Sequence, residues 1–158
     1  MQSEKPSHSA GIGVVAFLVA AVVSLAYYQF TYVPEANAKP ILAKAVLNPK
    51  ESVQSTIVEG AWQQSSPKKY VPKEARGVIG VSNKVVWTNT DAFGHTVTST
   101  DGYVDKISGK FDSNEQLGKL VMPGETFEFI FTNTGEFYYG CVPHPQMQGV
   151  IEIADDFS

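Results

Sequence analysis

Residues 126–153, TFEFIFTNTGEFYYGCVPHPQMQGVIEI, decide the fold of this chain. Aromatic residues alternate there with polar or smaller ones, a period of two that predicts strands with one face on a core. The inward-facing positions of this stretch are Phe127, Phe129, Phe131, Phe137, Tyr139, Cys141, Ile151 and Ile153. Val85, Trp87 and Asn89 share a face in the same way further upstream. The Cys141 thiol is therefore expected to point inward from the end of a strand.

Turn residues separate these runs. Pro123 and Gly124 suit a type II turn, and Asn133 to Gly135 suit a hairpin. The polar stretch 99–119 is typical of a long surface connection, with a flap near a functional site as the alternative. Short strands punctuated by glycine and proline predict an all-β fold, a sandwich of two sheets.

The N-terminal third differs from this domain. Residues 11–33 carry no charge, and at about 1.5 Å per residue they are long enough to cross a bilayer core of about 30 Å. We interpret them as a transmembrane anchor, or else as an export signal cleaved near residues 36–38. The predicted organisation is a polar tail at 1–10, the anchor at 11–33, a linker at 34–52 and the folded domain at 53–158. Either interpretation of the leader places the domain outside the cell membrane.

A soft donor set lies in the decisive stretch. Cys141, His144 and Met147 are spaced three residues apart, and they include the only cysteine of the chain. A thiolate, an imidazole and a thioether suit copper that cycles between Cu(I) and Cu(II), but a trigonal His₂Cys site needs a second imidazole. Of the two candidates, His8 and His95, only His95 lies in the predicted domain. We therefore predict a single copper ion held by His95, Cys141 and His144, with Met147 as a weak axial ligand.

Other chemistries fit this donor set poorly. Structural zinc prefers four Cys or His ligands, attached haem needs two cysteines, and iron–sulfur clusters need about four thiolates. A binuclear copper centre needs two bridging thiolates, so the single cysteine excludes it. A cysteine nucleophile with a histidine base remains open, although it would leave Met147 and the loop prolines without a role.

The chain has a formal net charge of −4, yet residues 60–76 hold a basic cluster of Lys68, Lys69, Lys73 and Arg76. The overall acidity favours a solvated loop here over a nucleic-acid site. We predict no nucleic-acid partner.

Residues 139–153, YGCVPHPQMQGVIEI, resemble the copper loop of the cupredoxins, and residues 86–97, VWTNTDAFGHTV, resemble the strand and loop that carry the family's first histidine. The short loop spacing is similar to that of amicyanins and of plastocyanin-like, membrane-anchored archaeal proteins. The resemblance covers about residues 53–153. It implies a Greek-key β-sandwich, His95, Cys141 and His144 as equatorial ligands of type 1 copper, Met147 as the axial ligand, and Asn89 near the cysteine.

The resemblance also implies a function. The expected protein carries single electrons between respiratory redox partners at the outer face of the membrane, and it is not an enzyme. His144 would present its edge within an apolar patch, for which the loop positions suggest Phe93, Gly94, Pro143 and Pro145. The alternative is a small copper enzyme with an open coordination position for a nitrogen oxide or similar ligand. Copper delivery or storage ranks last, because the chain has only three methionines.

Pro145 carries a separate hypothesis. It has no N–H, so its position cannot donate a hydrogen bond to the cysteine sulfur. Fewer such bonds leave electron density on the thiolate and stabilise Cu(II).

Overall fold

A computed structural model describes residues 8–36 and 43–155 of the chain. The chain divides into an N-terminal helical unit and a β domain, which are described separately. The helical unit begins with α1 (His8–Tyr27), continues through a π-helical turn (Tyr28–Tyr32) and ends with α2 (Val33–Ala36). Its apolar part, Gly11–Tyr32, has 22 residues, all exposed, and is long and apolar enough to span a membrane or to serve as an export signal.

The boundaries of the N-terminal region differ in detail from those expected. Helix α1 begins at His8, inside the predicted polar tail, whereas residues 1–7 lie outside the described part of the chain. Residues 37–42 of the predicted linker, with most of the possible cleavage motif, also lie outside it. The end of that linker is ordered: α3 (Lys44–Leu47) is followed by strand β1 at Ser52, and Asn83 Nδ2 donates to the carbonyl of Val46 at 2.8 Å. The last part of the linker thus packs on the domain.

The domain is a sandwich of two four-stranded sheets. The strands, in chain order, are β1 (Ser52–Ile57), β2 (Tyr70–Val71), β3 (Glu74–Val78), β4 (Lys84–Asn89), β5 (Thr98–Ser99), β6 (Val104–Asp105), β7 (Gly109–Lys110), β8 (Thr126–Ile130), β9 (Gly135–Cys141) and β10 (His144–Ala154). One sheet has the order β2-β1-β4-β8 and the other β3-β10-β9-β5, with β6 and β7 as a separate ribbon. The β1–β4 and β3–β10 pairs are parallel and the rest antiparallel. The all-β prediction is confirmed.

The core lies between the sheets, and the alternation seen in the sequence predicts its members. Every predicted inward position is buried, including Asn89 at the end of β4. Trp87 lies at the centre, with its ring centroid 5.4 Å from that of Tyr139 and 5.7 Å from that of Phe127. Offset and edge-on aromatic contacts of this kind add about 0.5–1.5 kcal/mol per pair beyond the burial of area. The core thus gives rigid support to the strand ends that carry Asn89 and Cys141.

One of the two predicted turns is correct and the other is wrong. The Pro123–Gly124 turn is confirmed, since Gly124 has a φ of +80° and the N–H of Glu125 donates to the carbonyl of Met122 at 2.9 Å. Residues 133–135 do not close a hairpin. Strand β8 pairs with β4, and β9 pairs with β10 and β5, so this turn carries the chain from one sheet to the other. Its residues favour reversal of the chain but do not specify which strands pair.

Residues 99–119 are more ordered than a surface connection. They contain β6, β7 and a short helix, α4 (Ser113–Leu117), and Phe111 is fully buried in the core. The buried Asp105 carboxylate accepts hydrogen bonds from the N–H groups of Ile107, Ser108 and Thr132. Burial raises the pKa of Asp105, but these hydrogen bonds outweigh it and hold the pKa below its ordinary value. A carboxylate that organises the turn is not visible as a periodic pattern, so the prediction missed it.

Candidate metal centre

Three of the four predicted ligands come together at one end of the sandwich. The ligand atoms of His95, Cys141 and His144 all lie within 4.8 Å of one another. The Cys141 Sγ is 3.6 Å from Nδ1 of His95 and 3.5 Å from Nδ1 of His144. His95 is fully buried and Cys141 is 3% exposed, whereas His144 is half-buried. His144 is therefore the one ligand of the three whose ring reaches the surface.

Met147 lies on the same loop and is fully buried. Cys141 pairs with His144, but the next pair is Gly140 with Gln148, so β10 bulges between these two positions. A bulge redirects side chains that regular pairing would alternate across the sheet. Met147 and Cys141 both line one surface cavity of about 220 Å³.

His95 is held by the loop that follows β4. Its backbone N–H donates to the carbonyl of Val121 at 3.1 Å, and Val121 returns the bond at 2.9 Å. The Asn89 amide donates to the carbonyls of Phe93 and Val121 at 2.7 and 2.8 Å. The buried Asn89 side chain therefore links the loop that carries His95 to the segment that contains Val121.

Asp91 is the functional residue that the sequence reasoning missed. Its Oδ2 lies 2.9 Å from Nε2 of His95, and both side chains are buried. The same carboxylate accepts hydrogen bonds from the N–H groups of Gly60, Trp62 and Ala92. With Nε2–H donating to Asp91, the Nδ1 lone pair of His95 faces Cys141 and is free to bind a metal. The four-residue spacing from Asp91 to His95 was the available signal.

Burial and hydrogen bonds both shift the pKa values of His95 and Asp91. It lowers the pKa of His95, which favours the neutral imidazole that metal binding needs. Burial raises the pKa of Asp91, but the hydrogen bond from His95 and those from three backbone N–H groups prevail and lower it overall. The carboxylate is therefore charged at neutral pH beside a neutral histidine.

The cysteine sulfur accepts a hydrogen bond from the backbone of Thr96. The N–H of Thr96 donates to Cys141 Sγ at 3.3 Å, and the Thr96 hydroxyl accepts from the N–H of Val142 at 2.8 Å. The hydrogen bonds of the Asn89 side chain go to the loop backbone. Burial raises the pKa of the Cys141 thiol, which a bound cation reverses because metals bind the thiolate.

The donor set fits a single copper ion. With metal–nitrogen bonds of about 2.0 Å and metal–sulfur bonds of about 2.3 Å, a trigonal arrangement needs sulfur–nitrogen separations of about 3.6–3.8 Å. The observed 3.6 Å lies in this range, and the observed 3.5 Å is only about 0.1 Å below it. Soft sulfur with two imidazoles and a thioether is a donor set for copper that cycles between two oxidation states.

Exposed apolar residues occur on both loops that carry the histidine ligands, and two of them flank the half-buried His144 in the sequence. Phe93, Pro143 and Pro145 are exposed there, as the loop positions suggested, and Gly94 is half-buried. The sequence reasoning missed Trp62, which is 41% exposed and packs edge-on against Phe93 with ring centroids 5.4 Å apart. The Gln146 side chain donates to the Trp62 carbonyl at 2.7 Å. Residues 60–62 thus bond to both ligand loops, through Asp91 and through Gln146.

A two-sheet sandwich with one His–Cys–His cluster at its end defines a mononuclear copper-binding β protein. The family of copper binding proteins that includes plastocyanin and azurin matches residues 62–154, and the chain belongs to this family. It is thus a cupredoxin whose cofactor is copper, and it is similar to the amicyanin electron carriers.

Individual relatives agree with this assignment. Amicyanin-alpha of Methylorubrum extorquens is 27% identical over 103 residues, which cover 65% of this chain and 79% of that protein. Amicyanin of Paracoccus denitrificans is 27% identical over 120 residues, which cover 74% of this chain and 85% of that protein. The solved structure of a purple cupredoxin from Nitrosopumilus maritimus is 26% identical, with a TM-score of 0.52, and covers 65% of this chain and 99% of that one.

Proposed function

We propose that His95, Cys141 and His144 bind one type 1 copper ion, with Met147 as the axial ligand, and that the protein carries single electrons between redox proteins. The observation that carries the proposal is the convergence of two imidazole nitrogens on one buried thiol, at separations of 3.5 and 3.6 Å. Copper bound there supplies a one-electron change between Cu(I) and Cu(II).

The chain's own contribution is to hold the ligands still. His95 is fixed by Asp91 on its ring and by Val121 on its backbone. Cys141 ends a core strand, and Pro143 and Pro145 restrict the loop that carries His144. Fixed ligands resist the change in coordination geometry that Cu(II) favours, and a small change in geometry is what fast electron transfer requires. Because His144 alone of the three reaches the surface, its edge is the point of electron exchange.

We place this domain on the outer side of the cell membrane, tethered by its N-terminal helix. Support comes from the 22-residue apolar stretch Gly11–Tyr32, whose described side chains are all exposed, and from the absence of charged residues within it. Respiratory donors and acceptors are the partners we propose, because a tethered carrier meets partners held in the same membrane. Recovery of the N-terminal peptide from protein extracted from membranes, together with digestion of the copper domain by protease added outside intact cells, tests this placement.

One observation favours a second candidate. The lining of the cavity of about 220 Å³ includes Cys141, Pro145 and Met147, so a small molecule can enter beside the copper loop. A copper enzyme acting on a nitrogen oxide would use such an opening. The burial of both Cys141 and Met147 favours the electron carrier, because neither sulfur is open to solvent.

The deciding experiment uses the full chain, loaded with Cu(II) in a neutral detergent. Visible absorption and EPR spectra are recorded before and after addition of azide. An intense thiolate-to-copper band that azide leaves unchanged supports the carrier. A band that shifts with azide favours the copper enzyme over the electron carrier. Absence of the band refutes the ligand assignment. The Met147→Ala variant is the control, since it opens the axial position and should make the spectrum sensitive to azide.

A further inference from the structure

A cavity on the β domain lies beside the copper loop and is cationic. It has a volume of about 490 Å³, and its lining includes Lys68, Lys69, Lys73, Gln146 and Gln148. The three lysines belong to the basic cluster that the sequence analysis interpreted as a solvated loop. The two glutamines belong to β10, on either side of Met147.

These lysines are not neutralised by neighbouring acids. No residue that lines the cavity is acidic. Three lysines elsewhere on the domain do pair with carboxylates: Lys84 with Glu128, Lys110 with Glu115 and Lys119 with Glu125. Within the described residues, no carboxylate lies within 4.0 Å of Lys68, Lys69 or Lys73. A positive region therefore stands on a chain whose net charge is −4.

The cavity is linked to the Cys141 sulfur through two hydrogen bonds, both made by the backbone of Thr96. Tyr70, which lines the cavity, is buried and donates its hydroxyl hydrogen to the Thr96 carbonyl at 2.9 Å. The Thr96 N–H in turn donates to Cys141 Sγ at 3.3 Å. Gln146 lies in the sequence between His144 and Met147. A molecule seated at the lysines would thus lie against the same loop that carries two ligands.

We propose that this lysine cavity is a docking surface for a carboxylate-rich face of the protein's redox partner. The proposal rests on the proposed electron-carrier function. Three like charges on one side of the copper loop steer an acidic surface toward it and align it for electron exchange. A small anion is a poorer occupant, because Lys68 and Lys73 are exposed and the cavity is wider than one ion needs.

The test follows oxidation of the copper-loaded, reduced full chain in neutral detergent. Hexacyanoferrate(III) is the anionic oxidant: it takes one electron from the Cu(I) protein and leaves the Cu(II) protein and hexacyanoferrate(II). The cationic oxidant tris(phenanthroline)cobalt(III) takes one electron in the same way. The Lys68→Gln, Lys69→Gln, Lys73→Gln variant is compared with a control in which Lys44, Lys50 and Lys106, exposed lysines outside the cavity, are changed to Gln.

At an ionic strength of about 10 mM, where the Debye length is about 30 Å, we expect the cavity variant to slow hexacyanoferrate about tenfold. The control variant carries the same change in net charge. The logarithm of its rate constant for oxidation by hexacyanoferrate should fall less than half as far. The difference should vanish at about 1 M salt. Equal effects of the two variants would overturn the proposal. Because Lys69 also donates to the Gln63 carbonyl, the Lys68→Gln, Lys73→Gln double variant repeats the test with that bond intact.

A hexaglutamate peptide then distinguishes a protein face from a small anion. We expect the peptide to inhibit hexacyanoferrate oxidation of the wild type, but not of the cavity variant, and to do so better than inorganic phosphate at equal ionic strength. Equal inhibition by phosphate would overturn docking by a protein face. Failure of the electron-carrier function looks different: the wild type would then exchange electrons with neither oxidant.

Discussion

Replacement of Asp91 by asparagine should raise the reduction potential of the copper site. The carboxylate Oδ2 is 2.9 Å from Nε2 of His95. Adding the width of the imidazole ring and a metal bond of about 2 Å places this negative charge about 7 Å from a metal on Nδ1. A charge in that position stabilises Cu(II) relative to Cu(I), because Cu(II) carries one more positive charge.

The size of the effect follows from Coulomb's law. At about 7 Å and an effective dielectric constant of about 20, one unit of charge contributes about 2.4 kcal/mol. For a one-electron couple, about 59 mV corresponds to a tenfold change in the equilibrium constant, which is about 1.4 kcal/mol. The reduction potential should therefore rise by about 100 mV. Asparagine keeps an acceptor for His95, so the histidine should stay in place and the copper band should persist.

Cyclic voltammetry of the full chain, with copper bound, measures this shift. Glu59→Gln is the matched control, because it removes an equal charge from an exposed position one residue before Gly60, where water screens it. Asp91→Glu retains the charge and should keep a potential near that of the wild type. A potential for Asp91→Asn within about 20 mV of the control would refute the electrostatic reasoning.

Asparagine at position 91 should also destabilise the domain. The N–H groups of Gly60 and Ala92 both donate to Oδ1 of Asp91, and an amide that serves His95 turns its NH₂ toward them. These two donors are only partly buried, so leaving both unsatisfied should cost about 1–2 kcal/mol together, less than for fully buried groups. Chemical denaturation of the metal-free protein measures this loss, which is independent of the shift in potential.

Three further predictions concern single substitutions. The pKa of Asp105 is lowered in the folded protein, so this carboxylate stabilises the fold above its unfolded pKa. That contribution is lost as the pH falls through the folded pKa. The difference in free energy of unfolding between wild type and Asp105→Asn, measured from denaturation curves, should therefore narrow below about pH 4. Gly140→Ala would place a Cβ 2.8 Å from the Met147 carbonyl, so the loop must shift and the copper absorption band should change, whereas an unchanged spectrum would show that the thioether is not held by this strand. Pro145→Ala adds a backbone N–H to the loop four residues after Cys141. If this N–H donates to the sulfur, as the hypothesis states, the reduction potential should rise; an unchanged potential contradicts that tuning role.

Much of the fold could be predicted because burial follows a simple period. Trp87, Phe129 and Tyr139 are buried where alternation placed them, since neighbouring side chains of a strand point to opposite faces. Strand pairing was harder. The turn at 133–135 joins two sheets, and local turn chemistry does not distinguish that from a hairpin.

The ligand cluster could be predicted from residue types, but its surroundings could not. His95 and Cys141 are 46 residues apart, yet few soft donors exist in the chain, so elimination left one combination. Asp91 and Thr96 are common polar residues, and only the folded loop brings them to the His95 ring and the Cys141 sulfur. Trp62 joins the site from a segment with no periodic pattern. Contacts made through backbone N–H groups leave little trace in a sequence.

The burial of Cys141 bears on the lifetime of the protein before it acquires its metal. A thiol is lost in an oxidising environment by pairing with another cysteine or by oxidation, and both require access. Cys141 is the only cysteine of the chain and is 3% exposed, so no internal disulfide can form and collision with a second molecule is obstructed. Its raised pKa further reduces the reactive thiolate fraction. The metal-free protein can therefore keep its Cys141 ligand as an unoxidised thiol until copper binds.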